Sequence, residues 1–355
     1  MGKIGVGVIG ASVGGWASLS HVPALRASPD FELRAISTSR RESADAAARE
    51  FGVEAAFDDH RALLAHPGVD VVVVAVKVAH HHELVSDAIA AGKTVYSEWP
   101  LAVDLAEAED LVERARTAGV RTAVGLQGRY APEIARAREL VRDGHIGRVL
   151  GTVLVGSGMV WGPETVRSKA YWYDRASGST LLEGAVVHAV DALTTTLGEF
   201  ARFSANLVVG RDVVSIADEG VVVPVTAPDQ VSLIGTLDSG TAASVTYRGG
   251  TSRGDNFRWE INGTDGDLVL TADWGNVQVA DLTLAIGRGG DTTVTPVDLP
   301  PTGLTGPARN VAALYAHLAA DLRDDTHTVP DFDYALSRHR LVSDVVRSSQ
   351  TGARA

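Results

Sequence analysis

A glycine-bearing turn, Gly10-Ala11-Ser12-Val13-Gly14-Gly15, follows an apolar run and leads into a stretch of helical character. Glycines stand at the first and last positions of a G-x-G-x-x-G fingerprint, and Ser12 takes the middle one. The first glycine of such a turn permits its tightness, the second lets backbone approach a pyrophosphate, and the third lets helix and strand pack closely. A serine gives up some closeness, but its hydroxyl can donate to a phosphate oxygen. The next cluster bears on which dinucleotide is held. An NAD-preferring site ends its second strand on a carboxylate for the ribose 2′-OH, whereas this chain reads Ile36-Ser37-Thr38-Ser39-Arg40-Arg41. Hydroxyls followed by guanidinium groups suit a 2′-phosphate, which arginine binds bidentately, so NADP is favoured and NAD is the alternative. The plainer reading of Arg40 and Arg41 is that they open the solvent face of a helix.

Three further segments carry groups able to do chemistry. Lys77-Val78-Ala79-His80-His81-His82 tempts a metal reading. Adjacent residues on a strand point to opposite sides and on a helix sit ~100° apart, so three histidines in a row do not converge on one ion, and no metal is expected. His81 is instead expected to line a cofactor cleft, with its neighbours capping or facing solvent. Tyr96-Ser97-Glu98-Trp99-Pro100-Leu101 ends a strand on a proline turn that aims Glu98 and Trp99 at the crevice. Lys169-Ala170-Tyr171-Trp172-Tyr173-Asp174 precedes a run from Gly178 to Asp191 that contains Glu183 and His188. On an α-helix Glu183 and His188, five apart, are separated by ~140°, and a kink at Gly184 would be needed to bring them together. A histidine can take a hydroxyl proton as hydride leaves, and a carboxylate can orient it. His188 reads equally as a satisfied, half-buried core residue.

The elements that must position these groups fall into two textures. Up to about residue 126, the apolar runs Ile4–Ile9, Leu33–Ser37, Val71–Val76, Thr94–Tyr96 and Thr122–Leu126 alternate with helical periods at Ser43–Phe51, His82–Ala91 and Leu105–Ala118. Apolar rather than alternating strands argue for a doubly wound parallel sheet of Rossmann type. After a helix at Pro132–Asp143, short strands follow at Leu150–Val155, Val231–Thr236, Ala243–Tyr247, Arg258–Ile261, Asp267–Leu270 and Asn276–Val279. These predict an α+β half built on a large, mostly antiparallel open sheet. Residues 287 to 306 read as a loop or edge, and helices return at Asn310–Leu322 and Tyr334–Ser348. The domains expected are 1–126 for the dinucleotide and 127–332 for substrate binding and oligomerisation, with a helix near 333–349 packing back on the first.

With 355 residues, 32 Lys+Arg against 44 Asp+Glu and a net charge of −12, the chain is too acidic for phosphate-backbone binding to be its main activity. The absence of cysteine removes disulfides, thiolate nucleophiles and cysteine-bound metals. The aliphatic run Val71–Val76 is far short of the ~20 residues of a membrane span. Six glycines between residues 2 and 15 are unlike a signal core, so a cytoplasmic location and no membrane partner are expected.

Taken together, the chain resembles the Gfo/Idh/MocA oxidoreductases, whose pattern is an N-terminal Rossmann domain, an E-K-P turn and a D-x-x-x-H helix. The likeness extends through Gly144-His145-Ile146-Gly147, Glu260 to Gly266 and Pro330-Asp331-Phe332. Gly15-Trp16, Glu98-Trp99, Leu126-Gln127-Gly128-Arg129 and Lys169 to Asp174 resemble the branch containing the fungal galactose-regulon repressor. The resemblance implies that Gly10, Ser12, Val13, Gly15, Thr38, Ser39, Arg40, His81, Glu98, Trp99 and Gln127 surround the dinucleotide. It also implies a substrate cleft of Trp99, Arg129, Lys169, Tyr171, Tyr173 and His188, and a homodimer or homotetramer formed through the open sheet face.

Two departures bear on mechanism. Trp99 stands where the family has its lysine, and indole donates a hydrogen bond but is no base. The family's aspartate lies four residues before its histidine, whereas Glu183 lies five before His188. Lys169 or Tyr171 would replace the missing lysine, and Lys169 is the better candidate because an ammonium desolvated beside a cationic ring is pushed down toward the working range. The leading expectation is an NADP-dependent oxidoreductase of a sugar-like or polyol carbon, with His188 handling the hydroxyl proton. The alternatives are a dinucleotide-binding regulator or sensor without catalysis, and a redox-neutral lyase or glycosidase that retains its cofactor.

Overall fold

The computed structural model describes residues 2–355 and divides into two compact units. The first comprises residues up to Gln127 together with Thr302–His339, and the second Gly128–Pro301 with Arg340–Ala355.

The first unit is built on six parallel strands: β1 (Ile4–Ile9), β2 (Phe31–Ser37), β3 (Ala55–Phe57), β4 (Val71–Val74), β5 (Thr94–Glu98) and β6 (Thr122–Gly125). Their order β3-β2-β1-β4-β5-β6 reverses direction between β1 and β4, which is the switch point where doubly wound sheets bind ligands. Every residue of β4 is buried, as expected of a strand covered on both faces.

The helices between these strands carry ordinary start and stop signals. α1 (Trp16–Leu19) and α2 (His21–Ala27) follow β1, and α3 (Arg41–Phe51) ends on Gly52 in the left-handed region. α4 (His60–Leu64) is capped by Asp59, and α5 (His81–Ala90) follows β4. In α6 (Leu105–Ala118) Asp104 accepts from Glu107 N at 2.9 Å, and Glu107 reaches back to Val103 N. Where one helix was expected after the glycine turn, the chain breaks after a single turn, because the Ser20 hydroxyl donates to the Trp16 carbonyl at 2.7 Å and Ser20 leaves helical geometry.

The second unit starts with α7 (Pro132–Arg142) and β7 (Val149–Gly158), followed by the short β8 (Glu164–Thr165) and α8 (Val187–Leu197). β9 (Phe200–Val208), β10 (Val213–Ile216), β11 (Val221–Pro224), β12 (Gln230–Leu237), β13 (Ala242–Gly249), β14 (Phe257–Gly263), β15 (Gly266–Ala272), β16 (Thr283–Arg288) and β17 (Thr295–Pro296) complete its strands. Eight of them form one sheet in the order β17-β16-β15-β14-β7-β13-β12-β9. Only β7 and β13 pair in parallel within it. One face of the sheet, with Trp259, Tyr247, Phe257 and Leu154, shares a core with Ile134, Leu182, Ala189 and Leu193 of the helical segments. The other face leaves Leu150, Val153 and Ile234 exposed, Ile234 by 67%. β8, β10 and β11 make a small separate sheet over Tyr173, Val214, Ile216 and Val225.

α9 (Gly306–Asp324) belongs to the first unit, although the sequence reading placed it in the second domain. Its buried face includes Leu314, Tyr315 and Leu318, and it packs on α2. The final helix, α10 (Phe332–Thr351), gives its first residues to one unit and the rest to the other. Asn276–Val279 is not a strand. The N–H groups of Val279 and Ala280 both bond to the Asn276 carbonyl at 2.9 Å, closing a turn whose apolar Val277 is buried. β9 escaped the sequence reading because an edge strand, half exposed along its length, has no clean alternation. No helix is long and apolar enough to cross a membrane among the described residues.

Candidate active site

The first unit assembles a cradle at the carboxyl ends of its central strands. Gly10 sits just past β1 at φ +94°, and a Cβ there would lie 2.4 Å from the Ala75 carbonyl oxygen, so only glycine fits. Ser12, Val13 and Gly14 are exposed at the tip of this turn, and Gly15 caps the one-turn α1. Beyond β2, Thr38 is turned inward, donating to the Arg40 carbonyl and bonded to Ser43. Ser39 and Arg40 are exposed, and the Arg40 guanidinium has no partner among the described residues. Arg41 is spoken for by Asp45 and the Ala56 carbonyl.

Glu98, at the end of β5, is the hub of a buried chain. Its Oε1 accepts from His21 Nε2 at 3.0 Å, and its Oε2 accepts from Gln127 Nε2 at 3.3 Å. With Nε2 donating, His21 Nδ1 accepts the Tyr315 hydroxyl at 2.8 Å, so one neutral tautomer satisfies both bonds. Burial, and secondarily the Glu98 carboxylate, push the Tyr315 phenol well above its ordinary range, so it stays a donor. A Cβ on Gly125 would stand 2.6 Å from Glu98 Oε1, which explains a glycine at the end of β6. Gln127 is 1% exposed, and its Oε1 has no partner among the described residues. An orphaned buried acceptor costs roughly 1–3 kcal/mol unless a donor arrives, and a ribose hydroxyl or a carboxamide N–H is such a donor. Together with the glycine turn and the free Arg40, this fits a nicotinamide dinucleotide.

The three histidines part ways. His80 is exposed, His82 bonds to Asp110 at 2.7 Å, and His81 is buried. His81 reaches the Val76 carbonyl at 3.2 Å and the Ser97 hydroxyl at 3.4 Å, so it braces the ends of β4 and β5 from beneath. Burial depresses its pKa and keeps it neutral. Trp99 precedes a cis peptide bond to Pro100 and packs its indole on His339 of α10, ring centroids 4.7 Å apart. His339 is 5% exposed, its Nε2 lacks a partner among the described residues, and burial lowers its pKa to about 4. Nothing in the local sequence pairs residue 99 with residue 339; His21, Tyr315 and His339 were all missed for this reason.

In the second unit His188 is 4% exposed, one residue into α8. Glu183 caps the turn before it, its Oε2 accepting from Thr180 N at 2.9 Å and from the Thr180 hydroxyl at 2.5 Å. The five-residue spacing has a structural answer. Residues Leu182–Val186 form a π-turn, which absorbs one extra residue and turns the expected ~140° separation into ~40°. Arg129 is buried in a bidentate pair with Asp191, its Nε donating to Oδ2 at 2.8 Å. The Tyr173 hydroxyl donates to the Val160 and Gly162 carbonyls, and burial pushes its pKa up to about 12, so this ring holds the small sheet together. Lys169 is exposed, with its ammonium 5.3 Å from the Trp172 ring, so the desolvation expected of it is not met. Tyr171 lies beside Trp172, and burial raises its pKa.

Comparison with known proteins agrees with this geometry. Residues 4–126 match the model of the oxidoreductase family with an NAD-binding Rossmann fold, and residues 132–272 match the C-terminal domain of Gal80p. Dehydrogenase aclE of Aspergillus oryzae is 31% identical over 332 residues, covering 91% of this chain and 88% of its own. The chain belongs to the Gfo/Idh/MocA oxidoreductase family. Within it, the galactose/lactose metabolism regulatory protein GAL80 of Saccharomyces cerevisiae is 32% identical over 302 residues, covering 79% of this chain and 69% of its own. Levoglucosan dehydrogenase of Pseudarthrobacter phenanthrenivorans is 28% identical over 295 residues, covering 76% and 74%. Among solved structures, a super-repressor mutant of yeast Gal80p superposes with TM-score 0.91 at 28% identity, covering 100% of this chain and 97% of that one. The family thus holds both dehydrogenases and Gal80-type regulators among this chain's relatives, and its Rossmann domain is one that takes a nicotinamide cofactor.

Proposed function

We propose that the protein is a nicotinamide-dependent dehydrogenase, NADP favoured over NAD, acting on the hydroxyl or carbonyl carbon of a sugar-like or polyol substrate. The observation that carries this reading is the cradle of the first unit, where Gly10, Gln127 Oε1 and the unpaired Arg40 offer a turn, an acceptor and a cation. When bound, the cofactor supplies or receives hydride at the substrate carbon. Arg40 and Ser39 take the 2′-phosphate, and Gln127, steadied by Glu98, accepts a hydrogen bond from the ribose or carboxamide. His188 takes or returns the proton of the reacting hydroxyl. Lys169, not being desolvated, orients substrate rather than moving the proton. Dehydrogenases of carbohydrates among the relatives support the substrate class. The exposed apolar Leu150, Val153 and Ile234 support a homo-oligomer joined through the open face of the large sheet.

A second reading has its own observation. Trp99, nearly buried against His339, occupies the lysine position of the family, and GAL80 is a relative, so a dinucleotide-bound regulator without turnover is the competing proposal. Calorimetry with NAD and NADP, followed by absorbance of reduced nicotinamide across a panel of sugars and polyols, separates the two. Binding with turnover that falls ~10²–10⁴-fold in His188→Ala supports the dehydrogenase. Tight binding with no turnover on any of the panel favours the regulator, and absence of binding to either nucleotide rejects both.

A further inference from the structure

The helix that carries His188 opens with an α-type bond, Gly184 N–H to the Thr180 carbonyl at 2.8 Å, and then leaves α geometry. From Leu182 to Val186 it is a π-turn, with Val187 N–H bonded to the Leu182 carbonyl, and α-helix resumes at Val187. The chain on either side is locked in phase. Upstream, Thr180 donates to Glu183 within the turn; downstream, Asp191 is held by Arg129. Between these anchors the chain has one residue more than an α-turn accommodates, and the π-turn takes it up.

Such turns are rare, and this one is held from outside. Gln278 Nε2 donates to the carbonyl of Gly184, the middle residue of the turn, at 2.8 Å. On the side where a Cβ would project from Gly184, ring carbons of Trp161 would lie 2.7 Å away. The donor is itself fixed, because Gln278 is 8% exposed and belongs to the turn closed on the Asn276 carbonyl. Without these contacts the surplus residue can leave the π-turn, and each residue of displacement rotates His188 by ~100° relative to the Thr180–Glu183 cap.

We propose that Gln278, backed by Trp161, is a positioning residue that holds the π-turn and so sets the rotation of His188. The catalytic meaning of that rotation rests on the dehydrogenase reading; the conformational claim does not.

The test uses the full chain, measuring amide exchange at Val186, Val187 and His188 and the ring nitrogen signals of His188 by NMR. Gln278→Leu keeps the bulk and removes the donor. It is expected to speed exchange of the Val187 amide about tenfold, the worth of one hydrogen bond, and to move the His188 ring signals. Nucleotide binding should be unchanged, and any turnover should fall in kcat rather than in KM. Deleting Gly184 in the Gln278→Leu background leaves a four-residue spacing and is expected to slow exchange again, a rescue that a general packing defect does not give. If Gln278→Leu does not fold, Trp161→Phe loosens the same residue from the other side, with the same expected readouts. Unchanged exchange and unchanged His188 signals in the folded variant would overturn the proposal, as would a deletion that adds to the defect instead of reversing it. Loss of the dehydrogenase reading would appear separately, as nucleotide binding without turnover while these signals still move.

Discussion

Replacing His339 with leucine isolates a buried imidazole that the folded protein refuses to protonate. Its pKa is depressed from 6.5 to about 4, chiefly by burial, with the His81 ring adding a smaller push in the same direction and Asp104 opposing. The unfolded chain takes a proton on this residue below about 6.5, whereas the folded chain does not until about 4. Stability from this group is therefore complete above the unfolded value, falls as pH drops through that window, and levels off below the folded value. At ~1.36 kcal/mol per pH unit the whole window is worth about 3 kcal/mol. Leucine has no proton to refuse, and the remaining titrations are shared by both proteins. Urea unfolding of both, followed by circular dichroism, should show the variant gaining about 2–3 kcal/mol on the wild type between about pH 7 and about pH 4.5. At neutral pH the variant gives up the ring packing on Trp99 and is the less stable of the two. Parallel stability curves across that range would refute the claim that His339 is neutral and desolvated against Trp99.

Two further substitutions probe the sites directly. Arg40→Ala should weaken NADP about 10–100-fold in calorimetry and leave NAD nearly unchanged, since only the 2′-phosphate gains from the guanidinium; equal weakening would take Arg40 out of cofactor choice. Arg129→Met strands the buried Asp191 carboxylate and should cost about 3–5 kcal/mol in chemical denaturation, much of which Arg129→Met combined with Asp191→Leu should restore. A single variant as stable as the parent would show that the pair carries no structural load.

The sheet order of the first unit was legible because it follows from local signals. β-branched runs, helical periods and a glycine turn recur at short range, and Gly10 marks a place just past β1 where a Cβ would meet the Ala75 carbonyl. The second unit was legible in its middle strands and not at its edge, where β9 lacks alternation. The apolar pair Val277 and Val279 looked like a strand because a buried turn and a buried strand make the same demand on residue type. The site followed the same division. Glu98 and Gln127 stand on the strand ends where the family pattern puts them, but the partner that fixes Glu98 is His21, held in turn by Tyr315 from 294 residues away. No spacing rule reaches that far. Arg129 and Tyr173, expected in a substrate cleft, are buried and occupied by Asp191 and by two backbone carbonyls. The extra residue before His188 was visible in the sequence, but only the backbone shows that a π-turn rather than a kink absorbs it.

The departures from the family pattern converge on one consequence for the proton. The lysine position holds Trp99, whose indole cannot accept a proton, and Glu183 Oε2 already accepts twice from Thr180. Burial raises the Tyr171 phenol, which keeps its proton at neutral pH, and Lys169 stands exposed over Trp172. On the dehydrogenase reading, His188 is then the one of these groups proposed to exchange a proton with the substrate, and a single essential ionisation gives a pH dependence of kcat/KM with one limb, not two. For alcohol oxidation that limb rises with pH, because the free imidazole is the form that accepts the proton. The profile should keep its shape in Lys169→Met and flatten in His188→Gln. A bell-shaped profile whose second limb disappears in Lys169→Met would return the lysine's role to residue 169 and remove the case for a lone imidazole.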